Sequence, residues 1–245
     1  MDDPKLMPLE GHLAELRRVL IVSLTAFLTS STVIYLSCRE MLFQYLTATM
    51  RQLELPLVFI SVPEAFITKI KICIFFGIVL SLPVLFWQVS SFIFPAIKAG
   101  WRRTAVLLVI SSYLLFLIGI VFAYQVVVRY ALIFLLGSAI GLQPLVTVGR
   151  YVDFLFSLLL PFGFVFQLPL IVLGLTKVGI IGPDSLSAKR KYVYFIIFVA
   201  AAIMTPPDVI SQMFLALPVI VLFEASLFIA RFIVKPRHSF QEGGV

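Results

Sequence analysis

Only two histidines, His12 and His238, occur among the 245 residues, at opposite ends of the chain, beside 12 acidic side chains. That inventory is thin for catalysis. No H-E-x-x-H or G-x-S-x-G pattern and no phosphate-cradling glycine loop is present. His12 and Glu15 share a helix face at a spacing of three, but a metal site needs at least one more ligand. Cys38 and Cys73 fall in different sequence environments and read as free thiols. Two carboxylates remain, Glu224 and Asp153. An ionisable group at membrane depth beside broken helices is what an ion- or proton-coupled transporter would show. Glu224 precedes Arg231 by two helical turns and so lies about 10 Å inside a span end. There it also fits a second reading, a carboxylate satisfied by neighbouring helix termini. No cofactor, metal or enzymatic activity is expected.

The elements that hold these residues follow from composition. The chain is 61% apolar and 13% charged, against about 45–50% and about 25% in globular proteins. Apolar runs extend from Val19 to Ser37, Ile70 to Phe94, Thr104 to Val128, Val152 to Leu175, Tyr192 to Met204 and Val209 to Ala230. A span needs about 20 residues, so these predict six transmembrane helices, the fifth too short for a hydrocarbon core of about 30 Å. Pro83, Pro161, Pro169 and Pro218 interrupt the runs and predict a kinked, concave all-α bundle. The loops on the side of the termini carry 13 of the 19 Lys and Arg. The positive-inside rule therefore puts both termini in the cytoplasm. The net charge of +7 is a topology signal, because no basic face interleaved with aromatics suggests nucleic acid. The expected organisation is a cytoplasmic segment 1–18, a six-span membrane domain 19–230 and a cytoplasmic tail 231–245. Arg17 and Arg18 precede a span-length run with no cleavage site after it, so this stretch reads as an anchor.

Several segments carry a resemblance. They are PLEGHLAELRRVL (Pro8 to Leu20), FWQVSSFIFPAI (Phe86 to Ile97) followed by Arg102 and Arg103, PDSLSAKRKYVYF (Pro183 to Phe195), TPPDVISQ (Thr205 to Gln212) and L-F-E (Leu222 to Glu224). In this order they resemble the TatC family, the multispanning core subunit of the twin-arginine protein translocase. The resemblance implies a non-enzymatic protein of the bacterial inner membrane that binds twin-arginine signal peptides of folded cargo. It also implies TatA- and TatB-type single-span partners, self-association in the complex, contact with membrane lipid, and transport driven by the proton motive force. A secondary transporter and a structural scaffold are the alternatives.

On this resemblance Glu15 is the arginine receptor. A carboxylate in the last polar turns before a span is partly desolvated, where a charge-assisted contact to guanidinium strengthens. Its other reading is a helical pair with Arg18, worth about 0.2–0.5 kcal/mol. Arg17 belongs to the same motif and also serves as a positive-inside anchor, while Leu16 fits a packing contact. Phe92, Phe94 and Pro95 match the family's recognition surface and equally fit ordinary span residues. A second carboxylate is common in the family where this chain has Trp101, which cannot accept a hydrogen bond. Trp101 reads as an interfacial anchor or as a cation–π substitute. Gln167 stands where many relatives have a buried Glu, and reads as a polar contact for a partner helix or as an interhelical hydrogen bond. Thr205, Pro206 and Asp208 have the spacing of a helix cap. Ser211 and Gln212 are polar residues at a span mouth, which the resemblance assigns to partner assembly and transport. Thr49 lies in an expected outer loop, where relatives often have Pro.

Overall fold

The computed structural model describes residues 9–93, 102–137, 145–178, 182–204 and 209–233, excluding the side chains of 9–13, 92–93, 102, 104–105, 177–178, 183, 204, 210–211 and 233. Helices dominate. In chain order they are α1 (Leu9–Ser37), α2 (Arg39–Gln52), α3 (Val62–Ile93), α4 (Arg102–Phe122), α5 (Arg129–Gly137), α6 (Val148–Val165), α7 (Leu168–Val178), α8 (Pro183–Ala188), α9 (Arg190–Met204) and α10 (Val209–Ile233). Two short strands, β1 (Leu57–Val58) and β2 (Val146–Thr147), pair in parallel with Leu57 opposite Val146.

Five stretches are long and apolar enough to cross a bilayer: Ala14–Ser37, Val62–Ser91, Val106–Gly137, Val148–Thr176 and Gln212–Phe232. They coincide with five of the six expected runs. α9, the remaining one, has 15 residues and rises only about 22 Å. The third stretch runs past Val128 because α4 continues through a π-helical turn, Ala123–Val128, into α5. Pro83, Pro161 and Pro218 lie inside continuous helices. The fourth stretch instead breaks between α6 and α7, where Pro169 has no N–H to offer the carbonyl of Val165. The Gln167 amide turns back to the Phe164 carbonyl at 2.9 Å across that break.

One expectation needs correction. The segment read as a first outer loop is the 14-residue helix α2, and Thr49 lies inside it. A helix-ending turn closes α2: Glu54 donates to the Arg51 carbonyl and Leu55 to that of Met50, both at 3.1 Å. Glu54 itself takes φ 57°, a left-handed position usually given to glycine. Lys69 and Lys71, which the topology count places in the outer loops among the six remaining cations, belong to α3.

The chain divides into two compact units, Met1–Leu160 and Pro161–Val245. In the first, Ile72, Phe75, Val79 and Leu82 form a buried stripe along α3 at helical spacing. Phe75 stacks on Phe156 of α6 with centroids 4.2 Å apart. α1 packs against α3 at a point where Gly77 leaves no room for a side chain: a Cβ there would lie 2.8 Å from the Ser31 Cα. Gly77 and the buried Ser81 are one turn apart on α3. Small residues at this spacing let helix backbones approach closely in lipid. In the second unit, Val172 of α7 joins Phe223, Leu227 and Ala230 of α10 in a core flanked by Leu186, Val193 and Tyr194.

Candidate functional site

α1 carries the first candidate directly into its apolar stretch. Glu15 is half-buried, Leu16 is exposed, and Arg17 and Arg18 both face outward. Among the described residues no cation stands within 4.0 Å of the Glu15 carboxylate, so the expected Arg18 pair does not form. Among the described residues, then, no cation neutralises this carboxylate. The Phe92 side chain, Phe94, Pro95 and Trp101 lie outside the described residues.

At the other end of this unit a polar network ties the elements together. Glu64 accepts the Ile60 amide at 2.9 Å with one oxygen and the Gly149 amide at 3.0 Å with the other. One carboxylate thus joins the start of α3 to the start of α6 beside the strand pair. Its sequence signal was present: Ser61 followed three residues later by Glu64 is a capping box. The reach to Gly149, 85 residues away, had no such signal. Tyr124, in the π-helical turn, donates to the Tyr45 carbonyl at 2.8 Å and accepts from Thr49 Oγ1 at 3.0 Å. The buried Tyr151 hydroxyl donates to the Leu46 carbonyl at 2.9 Å. Lys69 Nζ meets Glu40 at 2.7 Å and holds its carboxyl below the ordinary range, chiefly through this hydrogen bond. Asp153, a candidate proton carrier by sequence, receives both its contacts from Lys71 Nζ, at 2.6 and 2.9 Å. An ion pair answers its charge within the helices.

In the second unit Glu224 is similarly occupied. Arg190 Nη2 donates to one of its oxygens at 2.9 Å and the Tyr194 hydroxyl to the other at 2.5 Å. Arg190 opens α9, so side chains from the start of a neighbouring helix meet Glu224. Further along, the Gln212 side-chain amide donates to the Phe198 carbonyl at 2.9 Å, tying α10 to α9 again. Gln167 is buried at the break between α6 and α7. Thr205, Pro206, Asp208 and the Ser211 side chain fall outside the described residues.

Five span-length apolar helical stretches, a half-buried carboxylate near the start of the first and a short α9 tied to α10 can be compared with known proteins. Residues 11–218 match the family described as Sec-independent protein translocase protein (TatC). The chain belongs to the TatC family. It is 42% identical over 240 residues to the TatC protein of Carboxydothermus hydrogenoformans, covering 97% of each. With the TatC protein of Escherichia coli K12 it shares 36% identity over 230 residues, 93% of this chain and 89% of that one. A crystal structure of the twin arginine translocase receptor TatC in the detergent DDM superposes with TM-score 0.81 at 35% identity, covering 90% of this chain and 99% of the other. This chain is therefore a multi-pass membrane protein of TatC architecture, a core component of Sec-independent protein translocation rather than a secondary transporter.

Proposed function

We propose that the protein is the receptor for twin-arginine signal peptides, with Glu15 as the first contact for the paired guanidinium groups. The observation that carries this reading is the Glu15 carboxylate, half-buried at the flank of an apolar helix with no cation from the described residues within ion-pair distance. Desolvation at the headgroup level strengthens a bidentate Arg contact, whereas a Lys ammonium offers no matching fork. Leu16 and the exposed apolar flank of α1 support the apolar part of the peptide. Arg17 anchors the segment. Phe92, Phe94, Pro95 and Trp101 extend the surface on the family resemblance alone, Trp101 weakening selectivity for the second arginine.

The protein organises TatA- and TatB-type single-span partners through its fourth to sixth spans, α9 being the short fifth. Gln167 and the Thr205, Pro206, Asp208 and Ser211 group belong to that role by resemblance. Glu224 and Gln212 act as positioning residues, because their hydrogen bonds hold α9 against α10. The protein resides in the bacterial inner membrane with cytoplasmic termini, self-associates in the complex, performs no catalysis itself and works in transport energised by the proton motive force.

Equilibrium binding of a twin-arginine peptide to the purified protein, beside a twin-lysine peptide and the Glu15→Gln variant, tests the receptor role. Arginine-selective binding lost in the variant is the expected outcome. Equal affinity for both peptides, unaffected by Glu15→Gln, would remove Glu15 from the site and the receptor role with it.

A further inference from the structure

Three cations lie toward one end of the second unit with no carboxylate among the described residues to answer them. Lys189 occupies the turn between α8 and α9, Lys191 the first turn of α9, and Arg231 the last turns of α10. Arg231 Nη2 donates to the Ser187 hydroxyl at 2.7 Å, which brings it to the same corner of the chain as Lys189. Arg190, between the two lysines, already holds Glu224. Among the described residues no acidic side chain lies within 4.0 Å of Lys189, Lys191 or Arg231. A neutral hydroxyl orients the Arg231 guanidinium without neutralising it.

The helices that carry or flank these cations also expose apolar side chains. On α9 Tyr192, Phe195 and Ile196 face outward, Phe195 at 69%. On α10 Phe228 and Phe232 lie one turn apart with ring centroids at 4.7 Å, Phe232 exposed to 74%. Aromatic side chains at a span end sit at the membrane interface, and basic pockets between helix ends take anionic headgroups. A ligand answering both features has a phosphate at one end and a hydrocarbon chain at the other.

We propose that Lys189, Lys191 and Arg231 form a headgroup site for an anionic membrane phospholipid, its acyl chains lying along Phe228, Phe232 and the exposed face of α9. This rests on the chain spanning a membrane and is independent of the receptor role. Free inorganic phosphate offers the headgroup charge without the chain, and so separates a lipid site from a simple anion site.

The full-length protein in detergent would be titrated with phosphatidylglycerol and phosphatidylcholine, with retained lipid read by native mass spectrometry. Wild type should favour phosphatidylglycerol. The variant K189Q/K191Q/R231Q should lose that preference by about fivefold per cation removed, while K189R/K191R/R231K, which keeps the charges, retains it. R150Q, at an exposed arginine of the first unit, should bind as wild type. Should the triple Gln variant fail to fold, single R231Q and K191Q variants carry the same comparison. Equal loss in R150Q, no loss in the triple variant, or displacement of the lipid by millimolar inorganic phosphate would each overturn the proposal. Twin-arginine peptide binding by the same variants keeps this outcome distinct from a failure of the receptor role.

Discussion

Gly77→Ala tests whether the approach of α1 to α3 depends on a missing side chain. A Cβ at position 77 would lie 2.0 Å from Ser31 Oγ and 2.8 Å from both the Cβ and Cα of Ser31, where 3.4–4 Å is ordinary contact. Rotating the Ser31 hydroxyl relieves only the first overlap. The other two require the helices to part by about 0.6 Å or more, a gap that forfeits about a quarter of the dispersion between the facing atoms. Overpacking of this kind costs about 1–3 kcal/mol, offset by up to about 1 kcal/mol from the better helix propensity of Ala. The net expectation is a loss of about 1–2 kcal/mol, and more for Gly77→Leu. Ser31→Gly removes the Cβ and a buried hydroxyl with no hydrogen-bond partner. The 2.8 Å approach to the Cα of residue 31 persists in the double variant, which should therefore recover only part of the loss, about 0.5 kcal/mol relative to additivity. Reversible unfolding in mixed micelles with rising SDS, followed by far-ultraviolet circular dichroism, measures all four proteins of the cycle. G77A stability within about 0.3 kcal/mol of wild type, or strict additivity in the double variant, refutes the close-approach argument. α1 also carries Glu15, 16 residues before Ser31, so twin-arginine peptide affinity should fall in G77A and return in part in the double variant.

Thr49→Pro should cost less in α2 than the roughly 3 kcal/mol of an ordinary interior proline, because Tyr124 still donates to the Tyr45 carbonyl that the lost amide would address. T49P/Y124F should then lose about 1–3 kcal/mol beyond the sum of the single variants, as a carbonyl is left unsatisfied; additive thermal unfolding would deny the compensation. Glu54→Gly should stabilise the end of α2 by about 1 kcal/mol, since φ 57° strains any residue with a side chain, whereas Glu54→Val should destabilise it; the same unfolding titration decides. The Glu40 carboxyl has a folded pKa below its ordinary value of 4.5, so its pair with Lys69 adds stability above that value and loses it as pH falls through the folded pKa. The stability gap between wild type and Glu40→Gln should accordingly close on acidification from about pH 6, and a gap independent of pH would show that the pair contributes nothing.

Much was legible without coordinates, and the reasons are local. Apolar run length located five spans within a few residues at most ends, because lipid compels each segment to satisfy its own backbone. Pro169 foretold the break in the fourth span, because a missing amide acts within one turn. The nature of α2 is less visible: Arg39–Gln52 is too polar to be a span and reads as a loop, yet it is a helix held by Tyr124 and Tyr151 from distant parts of the chain.

The candidate residues divide in the same way. Glu15, Leu16 and Arg17 owe their place to sequence position, at the polar flank of an apolar helix, and the fold adds only the absence of an Arg18 pair among the described residues. For Asp153 and Glu224 the sequence left ion transport and structural satisfaction both open. Tertiary structure supplied their partners, setting Lys71 against one and Arg190 with Tyr194 against the other, across separations of 82, 34 and 30 residues. Hydropathy and helical period act over neighbouring residues, so sequence alone determined the membrane class, the spans and the flanking carboxylate. Which charge meets which depends on helix packing, where a single missing Cβ at Gly77 sets how closely two backbones approach.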